Sequence, residues 1–366
     1  MKKSINKAGR MEEIFFSLYR KADLRAEARK AGIACRRQLK GIGGGYNGSG
    51  ELFRSEVLPF WKRYGVRPGK MWYDLYCHRD GRYDPRYIPE DIYWRWVYPA
   101  LNRPDLRRAY TDKCFYDRLF PYLKKPRTIL KSSSSCFFDG DGNIISKARA
   151  RSILESEHSF VIKPAIYSGE GVDVCFHEKG KDDTDLQVLM DSYGRDYIVQ
   201  EIAAQHEVLA SVHPHSLNTI RVISFLFRGE VHISSSILRV GVAGSRVDNF
   251  SAGGLACPIR PDGSLGSEAM DRNARWTAVH PGGAVFAGIK IPSYERIIEA
   301  VRRAHRDVAH FRVIGWDFSV DEGGDPLFIE YNGAPSLNQI SCGPLFGDHT
   351  EPVLNMIFLN EAEFAE

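Results

Sequence analysis

Residues 313–337 read VIGWDFSVDEGGDPLFIEYNGAPSL, and this stretch determines our prediction of the fold. Two apolar runs, Val313–Val320 and Leu327–Tyr331, flank six residues rich in Gly, Asp and Pro. Because residues of these types interrupt strands and form turns, the pattern predicts a β-hairpin. Such a hairpin packs one face against a core and leaves the other face for polar side chains.

Three oxygen-bearing side chains lie on this hairpin. Glu330 and Asn332 are two residues apart and share a face of the second arm, and Asp317 on the first arm can lie opposite them. Carboxylate and amide oxygens are the ligands that Mg²⁺ prefers, with phosphate oxygens and water completing its octahedron. An ordinary hairpin with polar residues on its solvent face would give the same pattern. Segments earlier in the chain favour the metal site.

The composition is that of a globular protein with two or three domains. The chain has 366 residues, of which 43% are hydrophobic and 26% charged. Its seven cysteines are scattered without a CxxC motif, which argues against a disulfide framework or a zinc site and favours reduced thiols in the cytoplasm. Because no apolar run approaches the roughly 18 residues that span a bilayer, we expect no membrane span.

The first 105 residues are predicted to form a mainly helical region, basic and rich in aromatic residues. Residues 11–40 have an apolar helical stripe opposite a face of Arg and Lys. Nucleic acid or a membrane surface could bind that face. Since no aromatic residues are interleaved with its bases, we interpret it as a solvated helix face and expect no nucleic-acid partner. Residues 60–110 combine Trp, Tyr and Arg, which favours packing between helices over ligand stacking.

A second informative pattern is a strand, a glycine-rich loop and a returning strand. The first strand, Phe160–Lys163, ends at Pro164, and the second is predicted at Val172–Phe176. The loop between them contains Ser168, Gly169, Glu170 and Gly171. Backbone N–H groups of such a loop can lie over phosphates, and Lys163 can reach the same phosphates as a point charge. The alternative is an exposed hairpin tip with a surface lysine.

Three further segments place polar residues where a site would need them. Tyr197–Val199 is predicted to be a short strand, and the linker after it offers backbone groups to an adenine; it consists of Gln200, Glu201 and Ile202. Arg221 lies among apolar neighbours in a predicted pair of strands over residues 218–240, so it should be paired or used. The polar loop at residues 241–259 is predicted to cover a site.

In this order, the segments resemble the ATP-grasp superfamily and, within it, the sugar-transfer-associated ATP-grasp group. The resemblance covers roughly residues 102–340 and rests on the ordered set, because no single motif is specific. The motifs are Asp112-Lys113, VIKP and SGEGV within 161–172, VQE at 199–201, NTIR at 218–221, GWD at 315–317 and IEYN at 329–332. It implies an α+β fold in which two lobes, residues 106–199 and 200–366, clasp ATP, with the helical N-terminal region added.

The resemblance also implies roles for individual residues in binding ATP. Lys113 and Lys163 match the two phosphate lysines, and the glycine-rich loop would cover the phosphates. Gln200, Glu201 and Ile202 match the adenine hinge, and Glu207 the acid that contacts the ribose. The ligands of Mg²⁺, for which Mn²⁺ is an alternative, would be Asp317, Glu330 and Asn332.

The expected catalytic residues are Lys163 and Arg221, the latter stabilising charge on the transferred phosphoryl group. Many amino-acid ligases of the superfamily carry an arginine two residues before the first metal-binding aspartate. That place is Gly315 here, and we expect Arg221 to serve instead. Contacts with substrate are expected from His206, Asn218, Asp248, Asn249 and Ser251.

The expected activity is that of an ADP-forming ligase that joins a carboxylate to an amine through an acyl phosphate. Its partners would be small-molecule carboxylate and amine substrates, with a sugar-linked acceptor implied by the resemblance. Two alternatives stay open at this point. The same lobes could phosphorylate a hydroxyl of a sugar, as a kinase does, or they could bind nucleotide without catalysis.

Overall fold

The computed structural model describes residues 7–43, 48–166, 173–242, 244–246 and 253–362. Two predicted segments therefore lie outside the described residues: the loop with Ser168, Gly169, Glu170 and Gly171, and the segment with Asp248, Asn249 and Ser251. The described chain forms two antiparallel sheets and a helical N-terminal region.

The first sheet has six strands in the order β3-β2-β1-β6-β4-β5. Its strands are β1 Thr128–Ser133, β2 Cys136–Asp139, β3 Ile144–Ile145, β4 Ser159–Pro164, β5 Cys175–Glu178 and β6 Tyr197–Gln200. Two helices complete its core, α9 at Lys147–Ser156 and α10 at Leu186–Ser192. The strand after the glycine-rich loop begins later than the predicted Val172. Asp173 has a positive φ of 59°, a conformation that does not continue a strand.

The second sheet has seven strands in the order β11-β10-β9-β8-β7-β12-β13. Its strands are β7 Thr219–Phe227, β8 Glu230–Val240, β9 Leu255–Pro258, β10 Ala269–Met270, β11 Trp276–Thr277, β12 Val313–Val320 and β13 Pro326–Asn332. Strands β7 and β8 form the predicted pair, and Arg228 and Gly229 between them both have positive φ, as a tight hairpin turn requires. Helix α12, Tyr294–Asp307, packs against this sheet.

The remaining helices precede or follow the two sheets. Those before the first sheet are α1 Lys7–Gly41, α2 Gly50–Leu52, α3 Leu58–Lys62, α4 Lys70–Tyr76, α5 Glu90–Ile92, α6 Tyr98–Leu101, α7 Arg107–Tyr110 and α8 Tyr116–Leu119, with π-helical turns at Phe53–Val57 and Tyr93–Val97 and a 3₁₀ turn at Lys113–Phe115. The others are α11 Glu207–Val212, α13 Gln339–Cys342 and α14 Thr350–Leu359, with a 3₁₀ turn at Gly347–His349. Among the described helices, none is both long and apolar enough to cross a membrane.

The aromatic residues of the N-terminal region are packed inside it, as predicted. Trp61, Trp72 and Tyr73 are at most 2% exposed. Their cluster extends to Phe225 of β7 and to Leu345, so the region covers part of the seven-stranded sheet. Burial of this area removes large apolar rings from water and ties the region to the second sheet.

The hairpin of residues 313–332 forms as predicted. Strands β12 and β13 pair antiparallel, and Asp317 lies directly opposite Glu330. On its other side β12 pairs with β7, which places Arg221 next to Asp317. The register shifts at the bond after Asp317, so a β-bulge adjoins the acid.

One short segment connects the N-terminal region to the first sheet. It is a 3₁₀ turn followed by the short helix α8, and Asp112 caps the turn by accepting a hydrogen bond from the Cys114 N–H at 2.9 Å. Tyr116 and Phe120 of this segment pack with the core of the seven-stranded sheet. Because this segment packs with the second sheet, the predicted boundary between the N-terminal region and the first lobe at residue 106 stays a prediction.

Gly315 is the position at which the hairpin tolerates no side chain. A Cβ there would lie 2.9 Å from Pro335 Cβ and 3.3 Å from Arg221 Cδ. We expect Gly315→Ala to lower the free energy of unfolding by about 1–3 kcal/mol, the usual effect of overpacking a core. Urea denaturation measures this. Gly323→Ala in the turn of the same hairpin is the matched control, since its Cβ would have only a 3.4 Å contact with Asp321; equal losses in both variants would contradict the account.

Candidate active site

A cavity of about 730 Å³ lies between the two sheets and brings the predicted residues of both lobes together. The first sheet and the segment before it contribute Lys113, Lys163 and Gln200, and the linker after β6 contributes Glu201 and Ile202. The second sheet contributes Thr219, Arg239, Asp317, Ile329 and Glu330. We call this cavity the cleft.

Asp317, which lines the cleft, forms a buried ion pair with Arg221, which is not among the described lining residues. Arg221 donates from Nε and Nη2 to the two carboxylate oxygens of Asp317, and the Nη2–Oδ2 distance is 2.7 Å. Asp317 is 1% exposed and Arg221 8%. A charge buried to this extent must be paired, and the bidentate geometry suits a guanidinium and a carboxylate. We predicted that Arg221 is either paired or used, and the structure shows that it is paired.

A second arginine, which the sequence analysis did not single out, faces the same carboxylate. Arg239 Nη1 lies 3.6 Å from Asp317 Oδ2, and the side chain lines the cleft. The sequence contains a clue to it, because Leu238-Arg239-Val240 repeats the pattern of Ile220-Arg221-Val222: a charge between apolar residues on a strand. Such a residue is paired or used.

Glu330 is an acid of the cleft that lies next to Lys113. Lys113 Nζ lies 2.9 Å from its Oε2. Burial alone would raise the pKa of Glu330, but the charges of Lys113, Lys163 and Arg221 outweigh burial and lower the pKa to about 2. Glu330 is therefore an anion at every physiological pH.

Lys163 is the next-to-last residue of β4, and its pKa is lowered. Burial and then the positive charge of Lys113 lower its pKa to about 8, although Glu330 opposes them. Lys113 itself is 6% exposed, and its backbone N–H donates to Ala165 O at 3.0 Å, which fixes it beside the end of β4. Because the charges of the two lysines repel each other, the pair favours binding of an anion with more than one negative charge.

Gln200, predicted to begin the linker, is the last residue of β6, and the linker after it forms another part of the cleft wall. Gln200 Nε2 donates to Pro126 O at 3.3 Å. Glu201 makes two bonds with Arg127: its N–H donates to Arg127 O at 3.0 Å, and its Oε1 accepts the Arg127 N–H at 2.8 Å. Ile202 lines the cleft next to them. These bonds fix an apolar and backbone surface of the kind that a planar base requires.

The carboxylate and amide oxygens on the hairpin are the type of ligand that a hard cation such as Mg²⁺ binds. Asp317 and Glu330 are opposite each other, and Asn332 shares the face of Glu330 two residues on, with its Oδ1 accepting the Ala334 N–H at 2.9 Å. In the described part of the chain, no three His, Cys, Asp or Glu residues converge as metal ligands. A two-carboxylate set with an amide needs phosphate oxygens to complete its coordination, which is the usual arrangement for Mg²⁺ with a nucleotide.

Two residues expected to contact substrate make hydrogen bonds within the protein, and their contact with substrate stays a prediction. Asn218 is 0% exposed, and its Nδ2 donates to Leu209 O and His213 O, both at 2.8 Å. It is buried because it satisfies the carbonyls at the end of α11. His206 caps the start of the same helix, where its Nδ1 accepts the Val208 N–H at 3.2 Å.

Glu207, the expected ribose contact, is exposed in the first turn of α11 and is not among the described residues that line the cleft. Its carboxylate suits that position because the helix dipole favours an acid there. The start of a helix accounts for an acid at this position, and the contact of Glu207 with ribose stays a prediction.

A model of the sugar-transfer-associated ATP-grasp family matches residues 97–345, which is more than half of the chain. The chain belongs to this family. The ATP-grasp fold and the predicted resemblance are thus confirmed. No curated protein matches the sequence with significance.

Solved ATP-grasp structures are similar to the chain at low identity. An L-amino acid ligase from Bacillus licheniformis is 13% identical, with a TM-score of 0.40 over 69% of this chain and 48% of that one. A biotin carboxylase from Campylobacter jejuni is 14% identical, with a TM-score of 0.42 over 72% and 48%. D-alanyl-alanine synthetase A from Vibrio cholerae O1 biovar eltor is 13% identical, with a TM-score of 0.39 over 70% and 65%. The chain therefore spans between about half and two thirds of these proteins.

The lowered pKa of Lys163 predicts how nucleotide binding depends on pH. ATP is fully ionised above about pH 7.5 because its terminal phosphate has a pKa near 6. Only the protonated lysine attracts it, so the affinity should fall by up to tenfold per pH unit above about pH 8. Isothermal titration between pH 7.5 and 9.5 measures this. Lys163→Arg keeps its charge and should flatten the profile; a flat profile in the unchanged protein would contradict the assignment.

The structural role of Asn218 gives a separate prediction. Asn218→Ala removes two buried hydrogen bonds, although Leu209 O still accepts the His213 N–H and His213 O still accepts Gln205 Nε2, so we expect the free energy of unfolding to fall by about 1–3 kcal/mol. Affinity for ATP should be unchanged in the folded fraction. Thermal denaturation and titration with ATP measure the two effects, and a loss of affinity without a loss of stability would restore Asn218 to the substrate site.

Proposed function

We propose that the protein is an Mg-ATP-dependent ligase that joins a carboxylate to an amine and releases ADP and phosphate. One observation carries the proposal: Lys113 and Lys163 line the same cleft as the facing carboxylates Asp317 and Glu330, and Arg221 pairs with Asp317. Phosphoryl transfer needs little covalent chemistry from a protein, and it needs this kind of positioning and charge neutralisation.

ATP would lie with its base against the linker and its phosphates toward Lys113 and Lys163. The linker offers Ile202 and the backbone beside Glu201, and both lysines line the same cleft. The cleft therefore combines apolar and backbone groups with charged groups in its lining. This combination matches a nucleotide, which has a flat base at one end and a polyanion at the other.

Mg²⁺ would be held by Glu330, Asn332 and Asp317, with Mn²⁺ as an alternative, and it would neutralise charge on the phosphates. Both carboxylate oxygens of Asp317 accept hydrogen bonds from Arg221, so Asp317 also orients the guanidinium group. Arg221 then faces the place where charge develops on the γ-phosphoryl group and stabilises it.

The proposed reaction has two steps. An oxygen of the substrate carboxylate forms a bond to the γ-phosphorus, and the bond to the β–γ bridging oxygen breaks, which releases ADP. The amine nitrogen then forms a bond to the acyl carbon, the acyl–oxygen bond breaks, and inorganic phosphate leaves with the proton of the amine passing to solvent or to phosphate. Exclusion of water from the cleft would protect the acyl phosphate from hydrolysis.

The substrates proposed are an amino acid or other small carboxylate and an amine on a sugar-linked or natural-product acceptor. The family description supports the association with sugar transfer. A role in polysaccharide biosynthesis in the cytoplasm belongs to the same proposal.

Turnover with pooled substrates tests the reaction class. The protein is incubated with Mg-ATP and pools of amino acids, amines and sugar acids, and ADP, AMP and phosphate are measured separately. Substrate-dependent release of ADP and phosphate in equal amounts supports the ligase. ADP without phosphate would show a kinase, and AMP with pyrophosphate would exclude an acyl phosphate.

The charge of Glu330 separates binding from transfer. Glu330→Gln removes one negative ligand while keeping the shape of the side chain, so we expect turnover to fall at least 100-fold and affinity for ATP to change by less than tenfold. Glu299→Gln, an exposed acid on α12, is the control and should retain full turnover. Full turnover in Glu330→Gln would remove the metal assignment.

A further inference from the structure

A second concave surface lies on the seven-stranded sheet. Two cavities, of about 570 Å³ and about 720 Å³, share Ile233, Ser234, Arg302 and Cys342 in their walls, so they form one continuous groove. None of the described residues that line it also lines the cleft. We call it the edge groove, and the proposed ligase reaction gives it no role.

The floor of the edge groove is the outer edge of β8. Strand β9 pairs with β8 only over Ile237–Val240, and the Ile259 N–H reaches Ser236 O at 2.8 Å. Within the described sheet, no strand lies beside Glu230–Ser235 on that side. One cavity contacts Ile233–Ser236 and the other Glu230–Ser234. A strand edge left open in this way is a template for another extended chain.

The walls of the groove suit an extended chain. Helix α12 forms one wall with Arg302 and Arg306, which are four residues apart, on one face of the helix and exposed. The segment of residues 342–349 forms the other, and Ser234 Oγ donates to Leu345 O at 2.6 Å to hold it beside β8. A groove between a strand edge and a helix is the arrangement in which several domains add a peptide as a strand.

The charge in the groove is positive. Arg260, Arg302 and Arg306 line it, and the rings of His232 and His349 lie 4.2 Å apart in the same wall. Two acids that line the groove form ion pairs with arginines other than these three.

Those two ion pairs are Glu268 with Arg79 and Asp348 with Arg86, the latter at 2.6 Å. Glu230, at one end of β8, is the acid that remains against the three arginines. Carboxylates form strong paired hydrogen bonds with guanidinium groups, so an occupant with carboxylates at spaced positions complements the groove.

We propose that the edge groove binds an extended acidic peptide segment of a partner protein, which adds as a strand beside Glu230–Ser235 and places carboxylates against Arg302 and Arg306. The seven residues of β8 in the groove extend about 20 Å at about 3.3 Å per residue, so a segment of six or seven residues fills it. Main-chain hydrogen bonds to β8 supply affinity, and the arginines select acidic segments.

The test uses the full chain and a pool of fluorescein-labelled heptapeptides with Glu at positions 1, 3, 5 and 7 and mixed Val, Ile and Thr between them. Fluorescence anisotropy measures binding at physiological salt. We expect saturable binding, at least tenfold weaker binding to the double variant Arg302→Glu/Arg306→Glu, and no change with Arg36→Glu/Arg37→Glu, which makes the same change of charge on α1. Circular dichroism confirms that each variant is folded.

A second probe tests strand addition independently of any variant. The same peptide pool N-methylated at alternate residues keeps its carboxylates but cannot donate along one edge, so it should bind at least tenfold more weakly. Hydrogen exchange should show new protection within residues 230–235 on addition of the unmethylated pool. Equal binding of the methylated pool, absence of binding at 1 mM, or binding of oligogalacturonate in place of the peptides would each overturn the proposal.

Discussion

The buried pair of Arg221 and Asp317 is the interaction on which the rest of the site depends. Each residue is on a central strand, and each would be strongly destabilising without the other because an unpaired charge in a core is costly. Their pairing requires β7 to lie next to β12 in one register. That register places Glu330 opposite Asp317 through the hairpin, and with it the whole acidic face toward the cleft.

The same register also determines the electrostatics of the cleft. Lys113, Lys163, Arg221 and Arg239 face Asp317 and Glu330, so these six groups have an excess of positive charge. The excess lowers the pKa of Glu330, and repulsion from Lys113 adds to the effect of burial in lowering the pKa of Lys163. A polyanion that entered the cleft would relieve this repulsion, which is why the charge pattern favours a nucleotide triphosphate over a neutral ligand.

Much of this arrangement could be predicted from the sequence because it is local. The hairpin follows from apolar runs around a turn, and the alternation of strand side chains places Glu330 and Asn332 on one face. The roles of Asn218 and Arg239 could not be predicted in the same way. Asn218 is explained by carbonyls of α11 and its loop, and Arg239 by an acid on a strand that is distant in sequence. Contacts of this kind depend on the register of the whole sheet.

Binding of AMP-PNP, measured by isothermal titration with and without Mg²⁺, tests the central claim that the charged cleft is a metal-nucleotide site. The account predicts one site per chain and at least tenfold tighter binding when Mg²⁺ is present, because the ion adds bonds between the nucleotide phosphates and the carboxylates of the hairpin. Binding that Mg²⁺ leaves unchanged, or no binding at millimolar nucleotide, would contradict it.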